Sequence, residues 1–142
     1  KATGSGRCDP DVGRRLWMNW DMVRAMRADG MTIGGHTVSH PVLARASRER
    51  QREEIRNCGE RLAAETGEPM RYFSYPDGGL QAFDSVTREC LQEADVQYAF
   101  SYYGGFRSFG EWDAYDIRRV RMETYVTADW FRSIVSLPSI FS

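Results

Sequence analysis

Met70-Arg71-Tyr72-Phe73-Ser74-Tyr75-Pro76-Asp77-Gly78-Gly79 decides the architecture. Met70 to Tyr75 reads as a strand, and Pro76-Asp77-Gly78-Gly79 ends it in a sharp turn. On its N-terminal side, Ser47 to Thr66 reads as a helix capped by Ser47. Ile55, Cys58, Gly59, Leu62 and Ala63 form its inward stripe, Gly67 stops it and Pro69 follows. On the other side, Ala82 to Ala94 reads as a helix with Phe83, Val86, Cys90 and Leu91 inward. A strand framed by helices predicts βαβ connections and a parallel sheet.

The same alternation extends outward. Trp20, Val23 and Met26 recur every three residues, the spacing of one helix face, with Asn19 as cap and Gly30 as stop. Met31 to His36 reads as a short buried strand whose Gly34 and Gly35 suggest close approach of another backbone or a ligand. Gln97 to Ser101 and Ile117 to Met122 read as further strands, separated by an aromatic, glycine-rich loop from Tyr102 to Glu111. A last helix runs to Leu137, capped by Thr127 or Asp129. Lys1 to Arg15 reads as loop. Right-handed crossovers leave two architectures, an open doubly wound sheet or part of a (β/α) barrel.

The 142 residues suit one domain, and 42% hydrophobic with 13% aromatic residues is enough for a packed core. A net charge of −1 provides no field that favours nucleic acid or an anionic membrane. No apolar run approaches the ~20 residues needed to span a bilayer. Cys8, Cys58 and Cys90 form neither a CxxC pair nor a disulfide framework, and the two in helices read as small buried thiols. The compartment is not readable.

In either architecture, chemistry collects where strands end. One such place is His36-Thr37-Val38-Ser39-His40-Pro41, which holds the only two histidines of the chain. If the segment after His36 turns helical, the two imidazoles face one side about a turn apart, a geometry that suits one divalent cation. A third ligand must come from elsewhere. The second place is the Pro76-Asp77-Gly78-Gly79 bend, whose exposed N–H groups can stabilise an oxyanion. Taken singly, the histidines also read as caps or surface polar residues, and the bend as an ordinary βα turn.

Taken in order, these motifs resemble polysaccharide deacetylases of the NodB-like family. His36-Thr37-x-x-His40-Pro41 looks like the family's H-[ST]-x-x-H motif. Arg71-x-Phe73-x-Tyr75-Pro76-x-Gly78 looks like its next motif, and Asp113-x-x-x-Ile117-x-Arg119-Val120 like its late strand. The resemblance covers roughly Trp17 to Phe131. It implies an α/β fold, a partial (β/α) barrel of the seven-stranded type, that removes acetyl groups from N-acetylated sugars of a polysaccharide. It also implies that His36 and His40 ligate a divalent metal, most often zinc. The Asp77 N–H would stabilise the oxyanion, and Arg71 or Arg119 would orient the base carboxylate. Tyr75, Pro76, Tyr102 and Tyr103 would meet the sugar. The Phe-x-Tyr-Pro-x-Gly form and the tail around Trp130 suggest an exopolysaccharide.

Two departures accompany the resemblance. The family's Thr-Phe-Asp-Asp motif, source of a general base and third metal ligand, is absent, and its expected place is before Lys1. No histidine follows His40, so the family's late Leu-x-x-His is missing too. The chain is therefore expected to be a domain incomplete at its N-terminus and inactive alone. An unpaired sheet edge is expected to drive self-association. The competing readings are a catalytically silent carbohydrate-binding module of the same fold and an unrelated doubly wound protein.

Overall fold

The computed structural model describes residues 17–105, 110, 112–120 and 122–137. The expected N-terminal loop and the tail of the aromatic loop lie outside the described residues, Gly110 excepted. The chain parts between Ile33 and Gly34 into two compact units. In the first, helix α1 (Trp20–Ala28) begins where Asn19, in extended conformation, accepts the Met22 N–H at 2.9 Å. Trp20, Val23 and Met26 are half-buried, while nearly all the other α1 residues are exposed. Gly30 follows with φ +90°, a left-handed geometry that costs glycine nothing.

The second unit carries a parallel sheet of three strands, β1 (Tyr72–Ser74), β2 (Tyr98–Ser101) and β3 (Ile117–Arg118), in the order β1-β2-β3. Phe73 lies opposite Ala99, and Phe100 opposite Ile117. Between β1 and β2 comes helix α3 (Ser85–Glu93), before β1 comes helix α2 (Arg48–Thr66), and helix α4 (Ala128–Ser136) closes the unit. Leu43 (in a short 3-10 turn, Leu43–Arg45), Ile55, Phe73, Tyr75, Leu91 and Ala99 form a core with essentially no exposure. Burial of that apolar surface is the main stabilising term.

α2 and α3 pack together through a polar contact as well as an apolar one. The Thr87 hydroxyl donates to Gln51 Oε1 at 2.6 Å, and both residues are buried. The Gln51 amide donates in turn to the Ala46 carbonyl. The apolar stripe expected for α2 is thus only half of its inward face: Gln51, Glu54 and Thr66 are buried beside Ile55 and Leu62, while Cys58, Gly59 and Ala63 are half-buried. Ion pairs of Arg52 with Glu93 and Arg48 with Glu89 bridge the two helices at the surface, where such pairs contribute little.

Three elements differ in extent from the sequence reading. The strand expected over Met31 to His36 is reduced to one bridge, Gly35 to Phe73, made by Gly35 N–H to the Tyr72 carbonyl and Ser74 N–H to the Gly35 carbonyl. Met31 still caps α1 through the Met26 carbonyl, and the chain turns at Thr37, so only Gly35 is left to pair. The strand from Ile117 stops at Arg118 because the Arg119 side chain, not a continuing backbone N–H, takes the Ser101 carbonyl. Helix α3 starts at Ser85 rather than Ala82 because Asp84 and Thr87 form a reciprocal cap. The three described strands form an open sheet, similar in fold class to the expected barrel but without its closure.

Candidate functional site

Parallel strands deliver their carboxyl ends to one edge of the sheet. Past Gly35 comes His36, past β1 the Pro76-Asp77-Gly78 bend, past β2 Tyr102, and past β3 Arg119. These ends surround an open groove of about 510 Å3 lined by His36, His40, Ser74, Tyr75, Asp77, Tyr102, Arg119 and Glu123.

The two imidazoles meet edge to face, with ring centres 4.8 Å apart. His36 Nδ1 lies 2.6 Å from the Ser74 carbonyl. A carbonyl only accepts, so Nδ1 carries the proton and a neutral ring keeps its lone pair on Nε2. The loop between the histidines is not the helical turn expected. Thr37 and His40 both adopt left-handed backbone, φ +64° and +60°, which is rare for a β-branched residue. The Thr37 hydroxyl donates to the His36 carbonyl and accepts the His40 N–H at 3.1 Å. Two reversals of the chain, not a helical period, bring the rings together.

That loop rests on α2. Glu54 accepts the Val38 N–H at 2.8 Å, the Ser39 N–H at 2.9 Å and the Ser39 hydroxyl. It also pairs with Arg50 one turn earlier. Burial alone would raise its carboxyl pKa; the Ser39 hydroxyl, the two N–H groups and the Arg50 guanidinium outweigh this and hold it below the ordinary value. The sequence reading passed over Glu54. The available signal was a carboxylate in phase with Ile55 and Leu62 on the inward side of α2.

The bend is built by Gly78. Asp77 has φ +63° and Gly78 φ +68°. The Gly78 carbonyl accepts the Tyr102 N–H at 2.7 Å, and a Cβ on Gly78 would come within 2.7 Å of Tyr102 Cβ. Only glycine satisfies both the conformation and the approach. Among the described residues no acceptor takes the Asp77 N–H. Arg119 spans the groove floor: Nε donates to the Ser101 carbonyl, Nη2 donates to Ser74 Oγ at 2.8 Å, and its guanidinium faces the Tyr102 ring at 5.3 Å.

The structure separates the expected site residues into two groups. His36, His40, Asp77, Tyr102 and Arg119 line one groove. Arg71 does not: it precedes β1 and lines a hollow at the amino ends of the strands with Gln97, Tyr98 and Trp112. Tyr75 is a core residue whose ring stacks on Phe83 at 3.9 Å and whose hydroxyl donates to the Tyr115 carbonyl. Burial pushes that hydroxyl's pKa up and keeps it a donor. Pro76 is fully buried. Tyr103 has its hydroxyl on the buried Asp116, which Ser101 also contacts, and its ring under Arg118. The Tyr75 and Pro76 side chains are buried, and Tyr103 is half-buried. Ser74 and Glu123, by contrast, line the groove without having been singled out.

Two imidazoles, one already oriented by a carbonyl, fit two of the three protein ligands that a catalytic zinc takes. Among the described residues no group of three or more His, Cys, Asp or Glu side chains gathers closely enough to hold a cation. No helix among them is long and apolar enough to cross a membrane.

Comparison with known proteins identifies the family and the fold. The family described as Polysaccharide deacetylase matches residues 12–99. No curated protein matches the sequence. Among solved structures, the Streptococcus pyogenes deacetylase PplD in complex with acetate is similar at 19% identity and TM-score 0.74, over 87% of this chain and 53% of that one. BC0361, a polysaccharide deacetylase from Bacillus cereus, is similar at 24% identity and TM-score 0.70, over 82% of this chain and 36% of that one. IcaB from Ammonifex degensii is similar at 23% identity and TM-score 0.67, over 84% of this chain and 52% of that one. The chain thus spans about half the length of PplD and IcaB, and less of BC0361. At these identities the likeness is one of fold.

Proposed function

Because the chain belongs to the polysaccharide deacetylase family, we propose that it is the histidine-bearing part of a zinc-dependent hydrolase that removes acetyl groups from N-acetylated sugars of a polysaccharide. The observation that carries this reading is the pair of imidazoles 4.8 Å apart in a groove shared with the Pro76-Asp77-Gly78 bend. His36 and His40 would hold the metal. When bound, zinc polarises the amide carbonyl and lowers the pKa of a water.

The chain's own groups have separate tasks. The Ser74 carbonyl keeps His36 in the tautomer whose Nε2 lone pair is available. The Asp77 N–H is the donor for the oxygen that gains charge as the acetamide carbon becomes tetrahedral. Arg119, held by Ser101 and Ser74, is the arginine that orients a carboxylate base, and Tyr102 is the aromatic surface for a sugar ring. An exported polysaccharide as the substrate rests on the resemblance of Phe73-x-Tyr75-Pro76-x-Gly78 and of the tail around Trp130 alone.

The three-stranded sheet is one arc of a seven-stranded barrel in this reading. A cation on two imidazoles alone is held weakly, and the residues here supply no assigned base. The chain alone is therefore expected to release no acetate, and its open sheet edge to promote self-association.

The test is zinc binding and acetate release by the full 142-residue chain. About one zinc per chain is expected, lost in both His36→Ala and His40→Ala, with no acetate from an N-acetylglucosamine oligomer. Zinc content that neither substitution changes overturns the metal assignment. Glycan binding without zinc supports the silent binding module instead. Acetate release by the chain alone overturns the claim of inactivity.

A further inference from the structure

We propose that Glu54 is the positioning residue that sets the His36 and His40 rings toward one cation, and that it does so by gathering the backbone between them. This inference rests on the metal reading above and adds to it a residue outside the groove.

The argument begins from cost. A carboxylate that is only 3% exposed is unfavourable unless donors compensate it. Glu54 finds its donors almost entirely in one place, the Val38 N–H, the Ser39 N–H and the Ser39 hydroxyl. All lie between the two histidines. Arg50 completes the set, and its Nη2 also donates to Ser39 Oγ at 3.0 Å. The donor segment is flanked by the two left-handed residues Thr37 and His40. Thr37, being β-branched, does not adopt that conformation readily, so the loop needs an external hold to keep it.

One turn along α2, Cys58 lies beneath the start of the same loop. A Cβ on Gly35 would come within 3.1 Å of the Cys58 sulfur, so the loop's entry sits directly on the helix. The segment from Gly35 to Ser39 therefore rests on two α2 side chains four positions apart, Cys58 and Glu54. The imidazoles, whose backbone is held from behind, are left facing the groove.

The experiment compares the full chain with Glu54→Gln, which keeps the shape and removes the charge. Two quantities are read: hydrogen exchange of the Val38 and Ser39 amides without metal, and the zinc dissociation constant by chelator competition. The expected result is faster exchange at those two amides and zinc affinity weakened roughly 10- to 100-fold, the usual consequence of losing an outer partner of a metal ligand. Ile55→Val, a buried change on the same helix, should lower the melting temperature and leave zinc affinity where it was. If Glu54→Gln folds poorly, Ser39→Ala, which removes only the hydroxyl contact, should weaken zinc binding several-fold. Unchanged exchange, or faster exchange with unchanged zinc affinity, overturns the proposal. If the parent chain binds no zinc, the metal assignment falls instead, and the exchange measurement alone decides whether Glu54 holds the loop.

Discussion

The two ends of the parallel sheet are built from similar residues and differ in backbone geometry. At the carboxyl ends, Thr37, His40 and Asp77 take left-handed backbone, and His36, His40 and Asp77 line an open groove. At the amino ends, Arg71, Gln97, Tyr98 and Trp112 surround a larger hollow, and the single left-handed side chain there, Asp95, only ends α3 before β2. The Arg71 carbonyl is doubly engaged, by the Gln97 and Tyr98 N–H groups. Three of the four left-handed side chains among the described residues lie at the carboxyl ends, where the histidines and the Pro76-Asp77-Gly78 bend also sit, while Arg71 lies at the other end. The comparison teaches that an aromatic and an arginine near a strand do not make a site; the direction in which the strand delivers them does.

That contrast can be broken most forcefully at Tyr75. If its ring belongs to the core rather than to a sugar platform, Tyr75→Ala should cost about 3–5 kcal/mol in urea unfolding. Tyr75→Phe, which removes only the bond to the Tyr115 carbonyl, should cost about 1 kcal/mol. A near-neutral Tyr75→Ala would return the residue to the groove. Gly78→Ala tests the bend next. The left-handed backbone and the contact with Tyr102 together should cost about 2–4 kcal/mol by the same measurement, and a smaller loss would mean that the bend can relax.

The two arginines sharpen the contrast with the smallest effects. Arg119→Ala removes charged hydrogen bonds to Ser101 and Ser74 and should cost about 1–2 kcal/mol, whereas Arg71→Ala, at an exposed position, should stay within about 0.5 kcal/mol. Equal losses would erase the distinction between the two ends.

Much of the fold was legible because its signals are local. Asn19, Ser47 and Thr127 each cap a helix within three residues of themselves, and Gly30 and Gly67 follow helices where left-handed backbone is required. Strand lengths were read too generously. The number of residues that pair depends on where the neighbour's hydrogen bonds go, as when Arg119 takes the Ser101 carbonyl in place of a further rung. The histidine pair and the Pro-Asp-Gly bend were found as candidates from residue type and spacing, but the helical turn expected between the histidines was the wrong geometry. Their convergence accompanies the left-handed backbone at Thr37, which leaves no periodic trace, and contacts to Glu54, whose inward phase on α2 does not name its partner.

The sequence by itself determined the alternation of helices and a parallel sheet, and it marked two strand ends that line one groove, because caps, turns and periodicity act over a few residues. Only the tertiary structure decided which arginine joins the groove, that Tyr75 and Pro76 are core, and that a buried carboxylate on α2 holds the histidine loop. Those outcomes rest on partners such as His36 with Ser74, Arg119 with Ser74 and Tyr75 with Tyr115, separated by 38, 45 and 40 positions in the chain. Contacts at such separations arise from the crossovers that set strand ends side by side, and local residue preferences do not specify them.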